Sequence, residues 1–167
     1  MFRDSKLALA AALAGAVTAA PAMAQNYPDS FSVGTASQGG TYFVYGAGWA
    51  NLVSEMIGVP SGTEVTDGPV QNASGVQFGD YDFAMVTMGP ARSAIDGESP
   101  LAPGVMHDKI RAVFPMYQTG FHLIALESSG IESISDIPDG ARVGVGPQGG
   151  TPGTYTMIDG HPLTVSV

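Results

Sequence analysis

The chain has 167 residues and no cysteine, and its six Lys/Arg face fifteen Asp/Glu for a net charge of −9. That balance argues against nucleic-acid binding, because neutralising phosphates takes a basic footprint that so few scattered cations do not form. Without cysteine there is no disulfide framework, no thiolate metal site and no thioether lipid anchor.

Residues 1–24 carry a basic start (Arg3, Lys6), an apolar run over 7–20 and a small-x-small site at Ala22-Met23-Ala24. This reads as a secretory signal peptide cleaved after Ala24; the run is too short and too alanine-rich for a comfortable membrane span. A mature chain from Gln25 keeps four Lys/Arg against fourteen Asp/Glu. At that length it can bury one domain's core.

Residues 31–35 read as a first strand, with Gly34 allowing close approach of another backbone. Gln38-Gly39-Gly40-Thr41-Tyr42 follows, and a helix is expected over 42–57, with Tyr45, Trp49, Leu52, Val53 and Met56 on its apolar face and Gly58 and Pro60 as its stop. Gly46 and Gly48 each cost that helix about 1 kcal/mol relative to alanine, which points to a packing or ligand reason for them. Residues 63–66 form a short β-branched strand. Asp67-Gly68-Pro69 opens a second helix through Val70, Ala73 and Phe78, which Gly79 ends.

Residues 82–86 are nearly continuously apolar, as in a parallel strand covered on both faces, and deliver Thr87 and Met88 to the edge reached by the first glycine loop. A short helix is expected over 90–96, a loop over 97–107, and strands over 109–117 and 121–126. The strand over 141–145 runs into Gln148-Gly149-Gly150-Thr151, with Thr154-Tyr155 close behind. This second loop repeats the first. Strands alternating with helices imply an α/β layer architecture, in which ligands lie outside the carboxyl ends of the strands. A strand, a glycine turn with hydroxyls and then a helix offers unpaired N–H groups to an anion, and two such cradles suggest a ligand gripped from two sides.

In this order these motifs resemble the solute-binding proteins of TRAP transporters, specifically the TAXI family. The likeness rests on Val33-Gly34-Thr35 with the first loop, Pro69-Val70-Gln71-Asn72, Gly79-Asp80-Tyr81-Asp82-Phe83-Ala84, and residues 131–136 with Arg142-Val143-Gly144-Val145-Gly146. It implies a periplasmic-binding-protein-like, type II two-lobe α/β fold: lobe one over 25–125, the start of lobe two over 126–155, and an atypical tail over 156–167. It implies a periplasmic, monomeric receptor that captures a small carboxylate or amino acid, glutamate-like, for an ion-coupled TRAP permease in the membrane, without catalysis and without a cofactor.

The ligand-binding residues it implies are Ser37, Gln38, Gly39, Gly40, Thr41, Tyr42, Thr87 and Met88 in lobe one, and Gln148, Gly149, Gly150, Thr151 and Thr154 in lobe two. Arg92 is the best-placed cation for a carboxylate. Strand 121–126 leads into the hinge. Family members continue with a helix after Tyr155, whereas here Gly160 and Pro162 break one. The chain therefore reads as truncated to its N-terminal half, and a non-functional fragment is the alternative reading. On that reading strand 141–145 is an edge without neighbours.

Other chemistries find less support. Gly144-Val145-Gly146-Pro147-Gln148-Gly149 matches the dinucleotide fingerprint in letters, but no helix, strand and acidic residue follow at the required distance. Neither glycine loop is followed by lysine, so there is no P-loop. His107, His122 and His161 lack metal-ligand spacing, and His122 fits a core or hinge position. Asp80 and Asp82 fit a turn at a strand start, and Asn72-Ala73-Ser74 matches a glycosylation sequon by chance. A secreted α/β enzyme is the weaker alternative, with no general base to name.

Overall fold

A computed structural model describes residues 26–120 and 122–152, and the backbone at 157–158, 161–162 and 164–166. The signal-peptide reading of residues 1–24 lies outside the described residues, as does Thr154. The elements are β1 (Phe31–Gly34), α1 (Thr41–Ile57), β2 (Ser61–Glu64), α2 (Pro69–Phe78), β3 (Phe83–Ala84), α3 (Met88–Ile95), two 3₁₀ turns (Glu127–Ser129 and Ile134–Asp136), β4 (Arg142–Gly144), β5 (Met157–Ile158), β6 (His161–Pro162) and β7 (Thr164–Ser166). Among the described residues no helix is long and apolar enough to cross a membrane.

The first three strands form a parallel sheet in the order β2-β1-β3, with Val33 opposite Thr63 and Phe83. Side chains alternate across a strand, and β1 uses both faces. Phe31 and Val33 face α1, where they join Ala50, Val59 and Met85 in the core, with Tyr42, Trp49, Val53, Ile57, Phe83 and Met116 packed around them. Phe31, Trp49 and Phe83 meet edge to face at 5.2–6.1 Å, the arrangement that ring quadrupoles favour. Gly34 faces the other way, toward α2. A Cβ there would stand 2.6 Å from the Tyr81 ring, so this glycine makes room for side chains rather than for another backbone.

Helix α1 keeps the expected stop, with Gly58 left-handed at φ 71°. Its buried stripe differs from the expected one: Leu52 and Met56 are exposed, while Gly46 and Ala50 are buried. A Cβ at Gly46 would come within 2.7 Å of Thr35 Cγ2. The small residues thus bring α1 down onto β1, and that contact sets which side of the helix is inside. Gly48 has open space around it, and nothing in the structure explains it.

Two of the expected strands are absent: residues 109–120 and 122–126 carry no strand. Phe114 packs on Trp49 and Met116 on the core, so segment 110–117 is held by side chains without entering a ladder. His122 is exposed, not a core residue. Strand β4 is not an isolated edge, since it pairs in parallel with β7.

Candidate functional site

Three parallel strands bring the starts of α1, α2 and α3 to one edge of the sheet. The N-cap residues there are Gly40, Gly68 and Thr87, and none closes its helix with a side-chain hydrogen bond. First-turn N–H groups lack intrahelical partners and carry partial positive charge. The edge therefore gathers three positive helix ends.

Asn72 fixes their spacing. Fully buried on α2, it donates from Nδ2 to the carbonyls of Thr35 and Met85, each at 2.7 Å, and its Oδ1 accepts from the Thr66 hydroxyl at 2.7 Å and from Tyr81 at 3.4 Å. One side chain so ties the residues that follow β1, β2 and β3. Thr35 adds a hydroxyl bond to the Glu64 carbonyl at 2.7 Å. In the sequence Asn72 is the last residue of the Pro69-Val70-Gln71-Asn72 motif and part of a chance sequon, without a structural role; the signal for that role is an asparagine on the buried face of a helix, where a polar group must find partners. Tyr81 lies over Gly75 and donates to the Gln71 carbonyl at 3.2 Å. Burial, then the Asp80 and Glu64 carboxylates, push its phenol up to about 12.

The two glycine loops are both closed by a carbonyl three residues back, but only the first turns through a left-handed glycine, Gly39 and not Gly149. Gly40 N–H donates to the Ser37 carbonyl at 3.0 Å, and Gly150 N–H to the Pro147 carbonyl at 2.9 Å. In the first loop Ser37, Gln38, Gly39 and Thr41 are exposed and Tyr42 is half-buried. Gly39 has φ 82°, where a side chain would be strained. In the second loop Gln148 is exposed, but Gly149 and Gly150 are buried against α2. The Gly149 carbonyl accepts from Val70 N–H at 2.8 Å and from Gln71 N–H at 3.4 Å. Thr151 Oγ1 lies 2.6 Å from Thr87 Oγ1. The second loop thus sits on the helix ends of the first sheet, reaching α2 with a carbonyl and α3 with a hydroxyl.

Around the start of α1, Tyr117 packs edgewise on Tyr42 and Tyr45 at 6.1 and 5.5 Å. Burial pushes the Tyr42 phenol up against a hydrogen bond to Thr119, and burial with the nearby Tyr42 does the same for Tyr117. Both remain O–H groups at neutral pH. A cavity of about 480 Å³ opens beside them and is bordered at this edge by Tyr42, Thr87, Met88, Tyr117 and Thr119. Arg92 is not on its border; it is exposed and paired with Asp96 one helical turn on. Asp82 accepts from the Ser32 N–H at 2.8 Å and the Ser32 hydroxyl at 3.3 Å, a strand-start contact. Among the described residues no three His, Asp or Glu side chains group as metal ligands.

A model of the NMT1-like family matches residues 33–159, which takes in most of the parallel sheet and both glycine loops. The chain belongs to the NMT1-like family. That family is one of solute-binding proteins, not enzymes, and such proteins are typically extracellular or periplasmic. The mixed α/β architecture with its parallel sheet is compatible with the periplasmic-binding-protein-like fold. No solved structure matches the chain.

Proposed function

We propose that this NMT1-like chain is a periplasmic receptor of the TAXI kind, which captures a small carboxylate or amino acid, glutamate-like, and presents it to a TRAP permease. The observation that carries the reading is the meeting of the N-termini of α1 and α3, without side-chain caps, with a second glycine loop whose Gly149 carbonyl covers the start of α2, at the carboxyl edge of a parallel sheet. A carboxylate is held there by main-chain N–H groups and hydroxyls, with each helix-end contact contributing about 0.3–1 kcal/mol. The contacts come from Ser37 to Tyr42 and Thr87 to Met88 on one side, and from Gln148 to Thr151 with Thr154 on the other. Residues 25–125 act as lobe one and 126–155 as the start of lobe two, and closure between them signals occupancy.

A thermal melt with pooled small organic acids and amino acids tests this. At a hundredfold excess over Kd a true ligand adds about 2.7 kcal/mol of stability, so one pool raises the midpoint. Gly40→Val places a methyl-bearing side chain over the first turn of α1 at an ordinary φ of −75°. A Cβ at this N-cap stands 3.1 Å from the Ser37 carbonyl oxygen, and valine is a poorer N-cap than glycine, so the variant is expected to melt somewhat below the parent without ligand and, measured against its own unliganded midpoint, to lose the shift. A shift that survives Gly40→Val removes the first loop from the site.

A further inference from the structure

The cavity of about 480 Å³ opens at the carboxyl edge of the sheet and leads away from it between apolar walls. Its border at that edge holds Thr87, the N-cap of α3, Met88, the first residue of α3, and Tyr42, the second residue of α1. Phe114 packs on Trp49 and Tyr117 on Tyr42. Tyr42 stands about two helical turns nearer the start of α1 than Trp49, so the bordering run 110–117 climbs toward the same edge. Below the mouth the walls include Trp49, Phe83, Met85, Phe114 and Met116. The two charged residues on the border, Asp82 and Arg111, stand near the other end of their runs. Both are engaged: Asp82 accepts from the N–H and hydroxyl of Ser32, and Arg111 donates from Nη1 to the carbonyls of Asp108 and Ile110 at 2.6 and 2.8 Å.

We infer that the captured acid is a monocarboxylate with an apolar chain, whose carboxylate stays at the starts of α1 and α3 while the chain fills this cavity. The inference rests on the carboxylate reading above for the head group, and narrows it by making the side chain apolar rather than glutamate-like. A cavity of this size, mostly apolar with a few polar groups gathered at one place, has the character of a small-molecule site. The polar groups on its border at the mouth are the hydroxyls of Thr87 and Thr119 and the phenols of Tyr42 and Tyr117, which suit a head group. Just below them a second carboxylate, as close to the first as that of glutamate, meets apolar side chains. Burying it there without a hydrogen-bond partner is costly, and Arg111 lies too far down the cavity to pair with it. A hydrocarbon chain in the same place releases water from both surfaces, and each methylene adds to the gain.

The test is a titration of the protein with acetate, butanoate, hexanoate and octanoate, beside L-glutamate and octan-1-ol. Trp49 is the single tryptophan and borders the cavity, so its emission reports entry of a chain; the thermal midpoint reports binding of any of the six. Hexanoate and octanoate are expected to change the emission and acetate to leave it unchanged. From butanoate to octanoate Kd should fall about fourfold per methylene. Glutamate and octan-1-ol should each bind about tenfold or more weakly than octanoate, the first for its stranded charge and the second for its missing head group. Ala91→Phe, which sets a ring on α3 at the cavity border, should remove the gain with chain length; the series on the parent decides without it. Carboxylates that bind with no dependence on chain length, or glutamate that binds more tightly than hexanoate, would overturn the inference and leave the carboxylate reading standing. Octan-1-ol binding as tightly as octanoate would also overturn it, making the cavity an apolar sink indifferent to the head group. Binding by none of the six would overturn both readings.

Discussion

The hydroxyl of Thr87 lies 2.6 Å from that of Thr151, although the two residues are 64 positions apart. Thr87 is the N-cap of α3 and spends no side-chain bond on its own helix. Its hydroxyl instead links the first sheet to the second glycine loop. A pairwise cycle of Thr87→Val and Thr151→Val is expected to give a coupling energy of about 0.5–1.5 kcal/mol in urea unfolding. Strict additivity of the two variants would show that the contact does not join the segments.

Gly149 is the tightest point of the docked loop, because a Cβ there would stand 2.6 Å from Asp67 Cβ and 3.1 Å from Gln71 Cβ. Gly149→Val is therefore expected to undock the loop while the sheet stays folded. Amide exchange separates the two effects. Val70 N–H, which donates to Gly149, should lose protection, and Asn72 N–H, which donates to Gly68, should keep it.

Removing Asn72 attacks the sheet itself. Asn72→Ala leaves the buried carbonyls of Thr35 and Met85 without their amide donor and Thr66 without its acceptor, at about 1–3 kcal/mol for each group stranded. A loss of about 3 kcal/mol or more in chemical denaturation is expected, far above the loss for the surface change Arg92→Ala, whose exposed pair contributes about 0.3–0.5 kcal/mol. Comparable losses in the two variants would contradict the role given to Asn72.

Tyr81 makes the fold sensitive to alkali. Its phenol is raised in the folded state to about 12, first by burial and then by the Asp80 and Glu64 carboxylates, so folding favours the protonated form. The stability this adds is fully present below the ordinary phenol value of 10 and is lost as pH rises from there through about 12. Tyr81→Phe has no such proton to lose. Denaturant midpoints followed between pH 9 and 12 should fall more steeply for the parent than for the variant.

The order of elements through α3 was legible in the chain because its signals are local. Pro69 after Gly68 opens α2, Gly58 and Gly79 stop their helices in left-handed turns, and the matching Gln-Gly-Gly-Thr motifs are each closed by a carbonyl three residues back. Propensity and turn chemistry act within a few residues, so the sequence by itself determined these features. Three things were decided by contacts distant in the chain. The inner face of α1 depends on Gly46 meeting Thr35, so Leu52 and Met56, apolar at helical spacing, lie outside. Residues 109–117 read as a strand, yet side-chain contacts of Phe114 to Trp49 and of Met116 to the core hold the segment across a cavity from β3, out of its ladder. Asn72 stands in the sequence as the end of a family-like motif with no role to read from it; only the arrival of Thr35, Thr66 and Met85 around it turns a polar residue on a helix into the tie that spaces the site.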